Sequence, residues 1–338
     1  MSTLHITNGD CAADTLRLIV KDPVTIMADA LHEGPCPPIE GDAWREVSAR
    51  FIASNGGPAY DDIKNALDGW DRAIADACHR GDEIVLWFEH DLFDQLALIR
   101  TLDLIVRLKA GSRMSSRVSL ICIGSFPGVE RFVGLGQLTT DQLATLIGTG
   151  VPVTAGHYAL ATDAWHAFRS QDPASLLEIT LQLVAARTPV SEGGPALPFL
   201  GEALLRFFAE LPSVANGLSR TEELALQALS SGPSTAGALF CATQSREARP
   251  FMGDTTFFAI LRRLAAARVP LVTIEANPDE VDLGPHRIAI TNAGRDVLAG
   301  RTDHLRLNGS DLWRGGVHLS GLDRSPWRWD TRGETLVS

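Results

Sequence analysis

The chain has 338 residues, 45% of them apolar, and a formal charge of −11. That length suits about two domains, and the acidic balance argues against a general nucleic-acid or membrane-surface binder, whose surfaces carry basic patches. No apolar run approaches the ~18 residues of a membrane span, the start carries no basic-plus-apolar leader, and the five cysteines, with no C-x-x-C spacing, read as reduced cytoplasmic thiols.

Thr3 to Thr7 reads as a first strand, broken at Asn8-Gly9-Asp10, a turn whose Asn and Gly tolerate left-handed backbone angles. Asp10 then caps a helix from Cys11 to Val20. Pro23 to Ala28 is a second strand, running into His32-Glu33-Gly34-Pro35. Helices over 42–54 and 59–79 follow, parted by Asn55-Gly56-Gly57-Pro58. The third strand, 83–88, carries an unbroken apolar run from Ile84 to Phe88, as expected of a strand covered on both faces. It ends in Glu89-His90-Asp91, and a helix to Ala110 begins at once. Val118 to Ile123 is the fourth strand, ending at Gly124-Ser125. Strands alternating with helices predict a four-stranded parallel sheet, Rossmann-like or flavodoxin-like, over residues 1–130.

Residues 131–212 read as helical, with segments near 139–147, 156–170, 173–186 and 197–210 and a linker-like break at 191–195. Over 213–300 the order is three helices, a strand, a polar loop, a strand and a helix, which resembles a winged helix-turn-helix. Ser219 with Glu222 marks its start as a capping box. Its third helix carries Arg262, Arg263 and Arg268, but its wing carries Asp279, Glu280 and Asp282, which phosphates would meet unfavourably. Residues 301–338 have few apolar anchors besides Trp313, Val317, Leu319, Trp327 and Trp329 and are expected to lie over the rest of the chain.

Ligands of open parallel sheets bind outside the carboxyl ends of the strands, where strand order reverses. All four ends here carry polar residues. An order 2-1-3-4 would bring Asp10 near Glu89, His90 and Asp91; an order 3-2-1-4 would separate them. Carboxylates crowded in one crevice could hold Mg²⁺ or Mn²⁺, or raise one another's pKa and move protons. His90 and Asp10 are the candidate catalytic pair, and Asn8, Gly9, His32, Glu33, Glu89, Asp91, Asp94 and Ser125 the candidate ligand contacts. The plainer readings are that Asp10 and Asp91 cap helices and that Asp94 answers a helix dipole. His318, in Gly-Gly-Val-His-Leu, could add a further imidazole beside the site. There is no Walker loop, no G-x-S-x-G elbow and no H-E-x-x-H, and Gly134-Leu135-Gly136 lies outside any strand-turn-helix context.

Two strings, His5-Ile6-Thr7-Asn8-Gly9-Asp10 and Trp87-Phe88-Glu89-His90-Asp91-Leu92-Phe93-Asp94-Gln95-Leu96, with Leu31-His32-Glu33-Gly34-Pro35 between them, resemble the bacterial family catalogued as domain of unknown function 1835. The likeness covers residues 3–125, and passages near 216–222, 251–254 and in the tail resemble its longer members. It implies a soluble bacterial protein and brings no activity, catalytic residue or cofactor with it. The expectation is a protein that binds or acts on a small polar or phosphorylated ligand at the sheet's carboxyl edge, with Mg²⁺ or Mn²⁺ assistance. The alternative is a ligand-sensing regulator whose winged helix binds DNA. A membrane partner is not expected, and a homo-oligomer is compatible with either reading.

Overall fold

The structure is a computed structural model and describes residues 2–110, 116–186, 196–275, 282–321 and 327–338. The first unit runs β1 (Thr3–Thr7), α1 (Asp10–Ile19), β2 (Val24–Ile26), α2 (Gly41–Ser54), α3 (Tyr60–Arg80), β3 (Glu83–Glu89), α4 (Leu92–Ala110) and β4 (Val118–Ile123). These four strands are parallel, in the order β2-β1-β3-β4. A two-residue strand, β5 (Val151–Pro152), adds to β4 in antiparallel sense. The order therefore reverses between β1 and β3.

The apolar run of β3 is explained by its two faces. Ile84, Leu86 and Phe88 enter the main core, while Trp87 enters a smaller one with Leu16, Ile121 and Leu135 on the α1 side. A strand buried on both sides gives no alternating pattern, only a continuous one. Upstream, α3 ends at Gly81, whose φ of 70° is the left-handed cap that glycine adopts at least cost.

Beyond β4 come α5 (Thr140–Ala144), α6 (Ala155–Phe168), α7 (Ala174–Ala185) and α8 (Leu200–Phe208). The expected break at 191–195 lies outside the described residues. Next are α9 (Arg220–Leu229), β6 (Ser234–Thr235), α10 (Ala236–Gln244), α11 (Asp254–Ala266), β7 (Val272–Glu275), β8 (Arg287–Ile290) and α12 (Asn292–Leu298). The Ser219–Glu222 capping box forms at the start of α9. Strand β8 pairs with both β6 and β7 in a three-stranded antiparallel sheet. Wing residues Asp279 and Glu280 lie outside the described residues. Finally α13 (His304–Asn308) leads to two hairpins, β9 (Ser310–Arg314) with β10 (Val317–Gly321), and β11 (Arg328–Asp330) with β12 (Thr335–Val337). The fold is thus mixed α/β, with a mostly parallel five-stranded sheet and small antiparallel sheets. No helix among the described residues is long and apolar enough to cross a membrane.

One hydrophobic core joins all the regions that the sequence suggested as separate. Leu86 of the sheet, Trp165 of α6, Phe207 of α8, Phe257 of α11 and Trp329 of the tail belong to it. Trp329 stacks on Phe208 at 5.2 Å between ring centroids, and its backbone N–H donates to the Pro212 carbonyl at 2.9 Å. The tail is thus pinned through a buried ring. Trp313, by contrast, is half-buried and stacks on His318. Trp329→Ala should cost about 3 kcal/mol, and Trp313→Ala less than about 1 kcal/mol, read as shifts of the urea midpoint. Equal effects would contradict this docking of the tail.

Candidate functional site

Parallel pairing sets Thr7 beside Trp87, so the chain leaves β1 at Asn8 next to the end of β3. The sequence after β3 must cap a helix immediately, and it does so with acids. Asp91 Oδ1 accepts the Asp94 N–H at 3.1 Å, an N-cap bond. Asp94 Oδ1 then accepts the Glu89 N–H at 2.8 Å, and its Oδ2 accepts from the Asn8 amide. Gln95 donates to the Glu89 carbonyl and to Cys122 Sγ on β4. Glu89 Oε1 accepts the N–H of Leu135, which lies in the loop beyond β4. A Cβ at Gly134 would overlap Glu89 Oε2, so that loop closes over the carboxylate only because residue 134 is glycine.

The result is three carboxyl groups, Glu89, Asp91 and Asp94, each offering an oxygen within 4.8 Å of the others. They are 3%, 4% and 0% exposed. Burial is the first cause that raises all three pKa values. The Asp91 charge raises Glu89 and Asp94 further, while the Leu135 N–H opposes the shift at Glu89. Arg249 acts on Asp91 through its field. The cluster forms one side of a cleft of about 540 Å³. Phe93, Phe240, Phe251 and Met252 form an apolar wall, and Arg131 lies at the rim. Arg131 donates to the carbonyls of Gln244 and Glu247 at 2.9 and 3.1 Å, tying the loop after β4 to the end of α10.

The expected site residues divide into three groups. Asn8, Glu89, Asp91 and Asp94 meet, as the 2-1-3-4 order requires. Asp10 does not join them. It is exposed in the first turn of α1, whose cap is Gly9 without a side-chain bond, so it is neither the cap nor a member of the cluster. Gly9 itself is extended, with φ −163°, rather than left-handed. Ser125 is exposed at the loop after β4.

The histidines form the third group. His90 is buried, its ring tilted 5.7 Å from Phe132 and edge-on to Phe199 at 6.1 Å. Its Nδ1 has no hydrogen-bond partner among the described residues. Burial, then Arg249, lowers its pKa to about 4, so it is neutral at pH 7. His32 stands edge-on to Phe93 and Phe251 of the cleft wall, and among the described residues neither ring nitrogen has a hydrogen-bond partner. Burial, then Arg314, lowers it to about 3. Burial raises Glu33 beside it, with Arg314 and Arg263 opposing. His318 lies on the β9–β10 hairpin, 2.7 Å from Asp311, and lines no part of the cleft.

Gly134, Leu135 and Arg131 are not among the candidates read from the sequence, where the one signal for them is the Gly-Leu-Gly run at 134–136, which has no motif context; Gln95 and Phe251 lie in strings singled out for the family resemblance but are given no site role there. Comparison of the chain with models of protein families gave no match, and neither did comparison with curated proteins.

The sign of the pH effect follows from these shifts. A carboxyl group with a raised pKa stabilises the fold while protonated. That stability is whole below the ordinary carboxylate range and is lost as pH rises through the raised values. His32 and His90, held neutral, lose stability as pH falls through the ordinary imidazole range. Asp91→Asn isolates the carboxylates, because Asn keeps the cap. With chelator present, the midpoint of wild type minus that of Asp91→Asn should fall by several degrees between about pH 5 and about pH 8. A flat difference would contradict the raised values.

Proposed function

We propose that this cleft binds a divalent cation, Mg²⁺ or Mn²⁺, together with a small polar or phosphorylated ligand. The observation that carries the reading is the burial of Glu89, Asp91 and Asp94 within 4.8 Å of one another. An octahedral ion with oxygen bonds of about 2.1 Å sets its ligand oxygens roughly 3–4 Å apart, which the cluster suits. Such an ion offsets the burial, and the repulsion at Glu89 and Asp94, that raise these pKa values. Asp94 takes the part expected of Asp10. Arg131 lines the cleft, where it would meet an anionic ligand, while Arg249 lies over Phe199 and acts on Asp91 through its field. His90, packed against Phe132 and Phe199 with its pKa lowered to about 4, is a weak base and lies outside the lining of the cleft, so the proton chemistry falls to the carboxyl groups. The placement at a reversal of strand order agrees with the ligand sites of doubly wound sheets. The strings that resemble domain of unknown function 1835 are also the ones at this cleft, which favours placing the chain in that family.

The alternative, a ligand-sensing DNA binder, has one observation in its favour. Helices α9, α10 and α11, with β6 between the first two and β7 and β8 after the third, and β8 paired between β6 and β7, resemble the order of a winged helix. Of the three cations expected to meet DNA, Arg262 is exposed, but two are engaged within the protein. Arg263 donates to Glu222 at 3.2 Å, and just past the helix Arg268 donates to the Leu307 carbonyl at 2.9 Å. Phosphate contact would have to break both.

Two measurements separate the readings. Mn²⁺ at about 100 times its dissociation constant should add about 2.7 kcal/mol to wild type. Glu89→Gln and Asp91→Asn should lose that gain while Asp10→Asn keeps it. A gain that survives the first two and vanishes in the third would reverse the assignment. In fluorescence anisotropy, mixed-sequence duplex DNA should show no saturable binding at about 0.15 M salt. Tight binding with a steep salt slope would favour the regulator.

A further inference from the structure

Besides the acids and the phenylalanines, the cleft has a third wall, the start of α11, a helix of 13 residues. Its N-cap, Gly253, lines the cleft and has no side chain, so the backbone of the helix terminus itself faces the space. A Cβ built on Gly253 would meet nothing within 4 Å. The Thr255 N–H donates to the side chain of Asp254 at 2.7 Å, and the Phe257 N–H to the Gly253 carbonyl at 3.2 Å. Among the described residues the N–H groups of Asp254 and Thr256 meet no acceptor. Asp254 is exposed and lies outside the lining of the cleft. A helix start with free donors carries partial positive charge and suits a phosphate.

Two further groups on the cleft point the same way. Arg131 is held by Nη2 on the carbonyls of Gln244 and Glu247, and its Nε and Nη1 have no acceptor among the described residues. Glu89, 3% exposed, accepts only the Leu135 N–H among them, at Oε1, so Oε2 remains for an ion. The apolar wall adds a different preference. Phe93 and Phe240 line the cleft half-buried, with Phe251 and Met252 beside them in the lining. Rings left partly open on a cleft suit a planar partner, and nucleobases stack on such rings whatever their polar edge. The cleft, about 540 Å³, is of the size that holds a drug-sized molecule. A lone anion would leave most of it empty.

Resting on the cation reading of this cleft, we infer that its ligand is a nucleoside diphosphate bound together with the ion. The base lies on the phenylalanine wall. Two phosphates answer two separate electropositive groups, the ion on one side and the α11 terminus with Arg131 on the other. Without the ion, Glu89, Asp91 and Asp94 would repel the phosphates, so ion and nucleotide bind as a pair.

The test is isothermal titration calorimetry on the full chain with saturating Mn²⁺. The probes are ADP, GDP, CDP and UDP, with inorganic pyrophosphate and the four nucleosides as their parts. At least one diphosphate should bind at one site, at least about tenfold more tightly than pyrophosphate or its own nucleoside. Chelator should abolish that binding. Phe240→Leu keeps an apolar side chain and removes the ring; it should weaken the diphosphate at least about tenfold and leave pyrophosphate unchanged. Gly253→Asp sets a carboxylate at the helix start, where Asp is a favoured cap, so the fold is kept; it should weaken diphosphate and pyrophosphate alike, at least about tenfold. Mn²⁺ binding that depends on Glu89 and Asp91, with no diphosphate held more tightly than pyrophosphate, would overturn the nucleotide and leave the cation site standing. Absence of Mn²⁺ binding would overturn both. Diphosphate binding that survives chelator, or that neither variant weakens, would also overturn the nucleotide proposal.

Discussion

Glu89, Asp91 and Asp94 leave water together where β3 passes into α4. A carboxylate taken out of water needs a proton, a cation or several N–H donors, and three in one small space cannot all be served by protein donors alone. Their surroundings follow from this constraint. Asn8, the Glu89 N–H, the Asp94 N–H and the Leu135 N–H each donate to one of the three groups. The remaining capacity is left for protons or for an ion. The same groups serve as helix cap and as strand terminus, so the polypeptide cannot turn from β3 into α4 without assembling the cluster.

The rest of the fold holds that turn still. Burial of β3 on both faces fixes its register, because a slip of one residue would exchange Phe88 with Trp87 between two differently shaped cores. Gln95 clamps the Glu89 carbonyl against β4. The C-terminal half closes the cleft through Arg131 and the wall of Phe240, Phe251 and Met252. It is held in turn by a buried charge network in which Arg206 binds Glu210 and Glu247, each at 2.8 Å. Loss of one partner there would strand a buried charge, which is why a merely local change at Glu210 would be felt widely.

The strands of the parallel sheet were legible because covering β3 on both faces leaves a run that no helix of that length explains. Glu89 and Asp91 were legible because ionisable groups at the mouth of such a strand serve no packing purpose. Asp10 and Asp94 looked alike on paper, both acids in the first turn of a helix beside a central strand. Only the direction of the side chain separates them: Asp94 turns back to the Glu89 N–H, and Asp10 turns to solvent. The loop at Gly134 was invisible as a site element because its donor is a backbone N–H, which any residue except proline supplies, 46 positions away from its acceptor. Strands β5 and β6 have two residues each, too few to show a period. The tail hairpins depend on partners far away in sequence, as Ser213 bridging Trp329 shows.

The central claim is that the space among Glu89, Asp91 and Asp94 is a cation site. Anomalous diffraction from a crystal soaked in Mn²⁺ measures it directly. The account predicts a peak bounded by these three side chains, with oxygen contacts near the 2.1 Å typical of a Mg²⁺-like ion, about the length at which such carboxylates bind. Full Mn²⁺ occupancy elsewhere on the chain, with no peak at this turn, would contradict it and leave the three groups as protonated carboxyls that cap a helix.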